Sequence, residues 1–133
     1  MYKIVNNQNR NKKKERIMPK TFYLPEPNFT GVWPNSGEKA ALPEYKDGVT
    51  VFKFDIDSDD APTALFSVCN EPYAQKTALG GLRKGWVNSV CHFEGFPPPN
   101  SRSMKSVTNG IAIRQEGGAW KVQIKTKVQF LLD

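Results

Sequence analysis

The residues of this sequence that could bind a metal ion lie mainly in one acidic segment. Four carboxylates fall within six residues, at Asp55, Asp57, Asp59 and Asp60. Spaced carboxylates are the ligands that a hard cation such as Ca²⁺ prefers, but the EF-hand pattern fails because its glycine position holds Asp60 and its closing glutamate position holds Phe66. We expect a solvated loop or a contact for basic residues, with Asp55, Asp57 and Asp59 as a weak calcium candidate.

The sequence contains two cysteines and one histidine, which are the remaining candidates for metal binding or nucleophilic chemistry. Cys69 and Cys91 have neither the number nor the spacing of a disulfide framework or a zinc site, and His92 alone cannot complete a ligand set. Cys91 and His92 are adjacent, and adjacent residues of a strand point to opposite faces, so they do not predict a nucleophile beside its base. We expect buried, reduced thiols, although the spacing leaves a Cys69–Cys91 disulfide open.

A glycine-rich basic segment, residues 79–86, could contact a phosphate group. It lacks the spacing of a P-loop, and a flexible connection between two elements explains its composition equally well. The sequence shows no activated nucleophile, metal set, cofactor loop or paired carboxylates in a core context. We therefore expect a protein that is not an enzyme and uses no cofactor.

The net charge of +6 is unevenly distributed along the chain. Residues 1–20 hold seven basic side chains against one acidic, residues 21–71 hold three against nine, and residues 72–133 hold nine against three. A basic arm of this kind can neutralise phosphates or lie on an acidic protein surface. Met18 is an alternative start that would remove most of the arm. The arm residues expected to make contacts are Arg10, Lys12, Lys13, Lys14, Arg16 and Lys20.

The elements that must position these residues are clearest near the C-terminus. Apolar and polar residues alternate from Trp120 to Leu132, which predicts a half-buried strand. Gly117 and Gly118 predict a two-residue hairpin turn that pairs Glu116 with Ala119. This register places three apolar pairs on the buried face: Ile113 with Val122, Ile111 with Ile124, and Val107 with Val128.

The opposite face of the same hairpin is predicted to be flat, polar and cationic. It carries Arg114, Lys121, Lys125 and Lys127, with Arg114 opposite Lys121. A like-charged pair at this position is destabilising unless an anion or a carboxylate lies between the two side chains. We therefore expect these four residues to contact nucleic acid or another subunit, or to face solvent.

Further strands are predicted at residues 50–57, 64–69 and 86–96, separated by proline and glycine clusters. Asn70 as N-cap, an early proline and Gly80 as C-cap predict one short helix at about residues 71–79. The fold class that follows is mainly β: a single small antiparallel β-sandwich or barrel with one short helix and an extended basic N-terminal arm. The predicted organisation is an arm at residues 1–20 and one β-rich domain at residues 21–133.

We expect a structural protein of a larger assembly, most concretely a viral or phage capsid-associated protein of the minor capsid, cement or decoration type. Its partners would be other subunits, either copies of itself or a capsid protein. The first alternative is a β domain that binds single-stranded DNA or RNA through the arm and the cationic face; the second is a small host-interaction or inhibitor protein. No apolar run approaches the ~20 residues of a membrane span and no secretory signal is evident, so the expected location is the virion or the host cytoplasm.

Overall fold

The structure, a computed structural model, describes residues 19–33 and 41–132. The basic residues from Arg10 to Arg16 lie outside this part of the chain. Within it there are two helices, Pro72–Lys84 (α1) and Val87–Val90 (α2), and a 3₁₀ turn at Glu116–Gly118. The strands are Lys20–Leu24 (β1), Val32–Trp33 (β2), Phe52–Ile56 (β3), Thr63–Val68 (β4), Cys91–His92 (β5), Ser103–Thr108 (β6), Gly110–Arg114 (β7), Trp120–Ile124 (β8) and Thr126–Leu131 (β9).

The strands form a curled six-stranded antiparallel sheet in the order β1-β3-β4-β7-β8-β2 and a three-stranded sheet in the order β5-β9-β6. The larger sheet curls into a half-barrel, so the prediction of a mainly β fold with one short helix is confirmed. The curl is visible in the contact between Phe22 on β1 and Trp120 on β8, whose ring centroids are 6.0 Å apart although three strands separate them.

Aromatic side chains fill the concave side of the half-barrel. Trp33 is almost fully buried and makes edge-to-face contacts with Phe52, Phe54 and Phe66 at centroid distances of 5.3, 4.8 and 5.0 Å. The strand alternation explains this, since Phe52 and Phe54 on β3 and Phe66 on β4 all point inward while their neighbours point outward. Edge-to-face aromatic packing adds to the free energy of burying these large rings.

The aromatic core leaves little room beneath β7, and this reverses the predicted orientation of that strand. A Cβ at Gly110 would lie 2.3 Å from the Phe66 ring, and Ala112 is completely buried. Ile111 and Ile113, which the alternation pattern assigned to the core, are instead partly exposed on the convex side. The prediction was wrong because hydrophobic alternation takes no account of the size of the side chains on the facing strands.

The loop before β8 contains three residues instead of the predicted two. The residue that pairs with Ala119 is Gln115 and not the predicted Glu116, because the Gln115 amide donates to the Ala119 carbonyl at 2.7 Å. Gly117 and Gly118, within the loop, both adopt positive φ. The register beside the loop is therefore displaced by one residue, so Ile113 lies opposite Lys121 and Arg114 opposite Trp120. A one-residue displacement moves every side chain to the other face of a sheet.

The predicted single strand from Trp120 to Leu132 is divided between the two sheets. β8 pairs with β7, while β9 pairs with β6 and β5. Ser106, and not Val107, lies opposite Val128, and Val107 falls in a bulge with 55% of its surface exposed. The break is stabilised by buried Thr126, whose hydroxyl donates to the carbonyl of Thr108 at 2.6 Å.

Helix α1 is longer than predicted and continues through both glycines at its C-terminal half. Gly81 packs against Trp86, and a Cβ there would lie 2.4 Å from the indole ring. The helix ends at Lys84, and its C-cap is Gly85, whose φ of 92° is the left-handed conformation usual for a glycine at a helix C-terminus. The predicted strand at 86–96 was also wrong, because only Cys91–His92 is a strand and α2 precedes it.

Candidate interaction surface

An apolar row crosses the convex side of the six-stranded sheet. Leu65 on β4 lies directly opposite Ile111 on β7, and Ile111 lies directly opposite Ile124 on β8. Leu65 is 44% exposed and Ile124 is 53% exposed, while Ile111 is partly exposed. Three large aliphatic side chains on adjacent strands therefore form a continuous patch that faces solvent.

A bulge in β8 is what brings Ile124 to this side. Ala112 pairs with Val122 but Ile111 pairs with Ile124, so Gln123 is an extra residue in β8. In a regular strand without the bulge, Ile124 would share the inward orientation of Trp120. Bulges commonly redirect a side chain in this way. Ile113 lies one row away, opposite Thr63 on one side and Lys121 on the other, and extends the apolar patch.

Opposite charges flank the apolar row. On the β3 side, Asp55 lies opposite Leu65, and Asp57 is exposed in the bend just beyond the strand end. Lys121 lies on the β8 side and is exposed. Lys53 also lies on the β3 side, two residues before Asp55. We call this surface the outer face: Lys53, Asp55, Asp57, Leu65, Ile111, Ile113, Lys121 and Ile124.

The lysines predicted on the last hairpin are accessible, whereas Arg114 is engaged within the fold. Lys121, Lys125 and Lys127 are all exposed. The Arg114 guanidinium stacks over the Trp120 ring at 4.6 Å, and it donates to the carbonyls of Ala61 and Asp59 at 3.0 and 2.9 Å. The predicted Arg114–Lys121 opposition is wrong, because the three-residue loop places Arg114 beside Trp120.

An open cavity of about 340 Å³ lies at the end of the half-barrel where β1 and β8 begin. Lys20, Asp59 and Arg114 line it together with apolar residues, so three of the residues predicted to make contacts or bind metal meet here. Lys20 Nζ lies 3.3 Å from an Asp59 carboxylate oxygen. Both partners are largely exposed, so this ion pair stabilises the fold by less than about 1 kcal/mol.

The acidic segment does not converge on one point. The Thr21 hydroxyl donates to Asp55 at 2.5 Å, and the Ser58 hydroxyl donates to Asp60 at 2.9 Å. Asp59 pairs with Lys20. In the described part of the chain, no group of three or more His, Cys, Asp or Glu side chains could hold a metal ion.

The two cysteines are free and buried. Burial raises the pKa of the Cys91 thiol to about 12, with Lys125 acting weakly in the opposite direction. Burial also raises the pKa of Cys69 to about 12, and the Glu71 carboxylate adds to that shift. The thiolate is the reactive form, so neither side chain is set up as a nucleophile at neutral pH. His92 lies 3.2 Å from Glu94, and both side chains are exposed.

Sequence reasoning identified the exposed lysines and missed the apolar row. Leu65 was predicted within a strand but not assigned to a site, and the isoleucines of β7 and β8 were assigned to the core. The pairing of Gly110 with the bulky Phe66 carries the signal, since a small residue beside a large one indicates which side of β7 is buried.

No helix in the described residues is long and apolar enough to cross a membrane. Comparisons of the chain with protein-family models, with curated proteins and with solved structures find no match.

Proposed function

We propose that this protein is a non-enzymatic structural subunit of a larger assembly, most concretely a capsid-associated protein of a virus or phage. The observation that carries the proposal is the outer face, where an exposed aliphatic row is bordered by charges of both signs. A solvated sheet face normally alternates to polar residues on its outer side. Contiguous exposed apolar residues with a polar rim are typical of protein–protein contact sites.

The charge distribution supports a role in assembly. The described body carries an acidic segment around Asp55 to Asp60 and exposed lysines on β8 and β9, and the arm adds a further net charge of +6. Blocks of opposite charge favour association of subunits in a defined orientation. In this proposal the arm contacts an acidic subunit surface, and the protein is located in the virion or in the host cytoplasm before assembly.

The test is co-purification of the full-length protein with particles from its native source. We expect it to sediment with the particles, and Leu65→Asp to reduce its share at least severalfold. Val49→Asp is the matched control, because Val49 is exposed to a similar extent, 40% against 44%, but lies in a loop outside the outer face. Recovery of the wild-type protein only in the particle-free fraction would overturn the proposal.

A second candidate function is binding of single-stranded nucleic acid, favoured by the exposed Lys121, Lys125 and Lys127 and by the basic composition of the arm. Removal of residues 1–17 is expected to weaken binding and to lower its salt dependence, because fewer phosphates would be neutralised. A gel shift across a salt series measures both effects. Absence of a complex at physiological salt with full-length protein would rule this candidate out.

A further inference from the structure

The outer face is self-complementary, and we infer that its partner is the outer face of a second copy of this chain. This inference rests on the proposed function, since it names the partner of the same surface. Its geometric basis is the position of the two opposite charges. Asp57 directly follows β3, which is next to β4, and Lys121 is on β8, which is next to β7.

Two such faces can meet around a two-fold axis that lies in the contact plane, runs parallel to the strands and passes between β4 and β7. Rotation about this axis exchanges the two sides of the sheet and keeps the level along the strands. Leu65 then faces Ile111 of the second copy, and Asp55 faces the second copy's Ile124. The aliphatic side chains of β4 and β7 are buried against each other at the centre.

The same rotation brings the opposite charges together at one level. Thr63, Ile113 and Lys121 form a directly paired row, and Asp57 lies in the bend two residues beyond the Asp55–Leu65 pair, so we place it near the level of Thr63. Asp57 of each copy therefore faces Lys121 of the other, which gives two equivalent ion pairs at the rim. A two-fold contact repeats every pair in this way. Lys53 lies four residues from Asp57, about 13 Å along the strand, and does not interfere.

The size of the contact sets its expected strength. The sheet curls toward its core, so the outer face is convex and only its central strands can touch a second copy. The four strands involved, β3, β4, β7 and β8, are separated by three spacings of about 4.8 Å, which gives a narrow contact, below the roughly 1,200 Å² of a standard stable interface. We therefore expect a weak dimer that forms at micromolar to millimolar concentration, as suits contacts that become permanent only within a larger assembly.

The experiment is sedimentation equilibrium of the full-length protein from about 5 µM to about 1 mM, a range that covers weak dissociation constants. Asp57→Lys and Lys121→Asp each place two like-charged pairs at the rim, and each is expected to weaken dimerisation at least about tenfold. The double variant D57K/K121D restores both ion pairs with reversed polarity, so its dissociation constant should return to within about threefold of the wild-type value.

Lys105→Asp is the control, because Lys105 is an exposed strand lysine on β6, opposite Gln129 and outside the outer face. It should leave the dimer unchanged. Circular dichroism confirms that each variant is folded, which is expected because all three positions are exposed. A wild-type monomer at the highest concentration would overturn the inference, as would single and double variants that weaken the dimer equally.

The two proposals fail in different ways. A protein that is monomeric in solution but sediments with native particles would overturn the self-association and leave the assembly function standing. A protein that dimerises with the expected charge dependence but is absent from particles would overturn the assembly function and leave the dimer standing.

Discussion

Two neighbouring glycines in α1 have very different surroundings, which shows how much of this fold is decided at single residues. A Cβ at Gly81 would lie 2.4 Å from Trp86, whereas a Cβ at Gly80 meets nothing within 4 Å. Gly81 is therefore required by packing, and Gly80 is only a weak helix former. The sequence presents them as an identical pair, so it could not distinguish these roles.

Substitution of each glycine by alanine tests this difference. Gly81→Ala should destabilise the protein by about 1–3 kcal/mol, because the new methyl group overlaps a buried indole. Gly80→Ala should be neutral or stabilising by up to about 1 kcal/mol, since alanine is the better helix former. Urea denaturation of both variants gives the comparison, and equal effects would contradict the packing of Trp86 on α1.

Buried Cys91 predicts a dependence of stability on alkaline pH. The pKa of its thiol is raised from the ordinary value of 9.0 to about 12 in the folded protein. The unfolded chain therefore loses this proton first, so stability is complete below about pH 9 and falls as the pH rises toward 12.

Cys91→Ala should remove this contribution. Between pH 8 and pH 10, wild type is expected to lose about 1 kcal/mol more of its unfolding free energy than the variant. Cys69 and Tyr45, whose pKa values are also raised to about 12, are present in both proteins and cancel in the difference. Parallel falls in stability, measured by urea denaturation at both pH values, would show that Cys91 titrates normally.

At the scale of elements, β7 shows why alternation alone was insufficient. Its pattern of isoleucines predicted a buried face, and the strand itself was correctly placed. The side it buries is decided by Phe66 on β4, and its register with β8 is set by the three-residue loop and by the extra residue in β8. The alternation within β7 contains none of this information. The helix start was predicted to within one residue because Pro72 is a local signal, although the N-cap is Glu71 and not the predicted Asn70. The end of the helix depends on the packing of Gly81 against Trp86.

The orientation of β7 can be tested with one pair of variants. Ala112→Thr introduces a larger, polar side chain at a fully buried position and should destabilise the protein by about 2–4 kcal/mol. Ile113→Thr changes a partly exposed residue of the outer face and should cost less than about 1 kcal/mol. Thermal or urea denaturation measures both. The reverse ranking would return Ile113 to the core and remove it from the outer face.

At the scale of the whole molecule, the division of charge predicted from the sequence has a spatial counterpart. The acidic residues of β3 and Lys121 of β8 lie on opposite sides of one sheet face. Composition could identify the acidic and basic halves of the chain, but their arrangement around an apolar row depends on strand order, which places β7 beside β4 and β8 beside β7. Pattern reasoning could not supply that order because the pairing is non-local.

The most direct test of the outer face as a contact surface is a concentration series of ¹H–¹⁵N correlation spectra of the full-length protein. Between about 20 µM and about 1 mM, the amide signals of Leu65, Ile111, Ile113 and Ile124 should shift together along one binding curve. Signals from α1, on the other side of the core, should stay fixed. Outer-face signals that do not move over this range, or shifts confined to α1, would contradict the account.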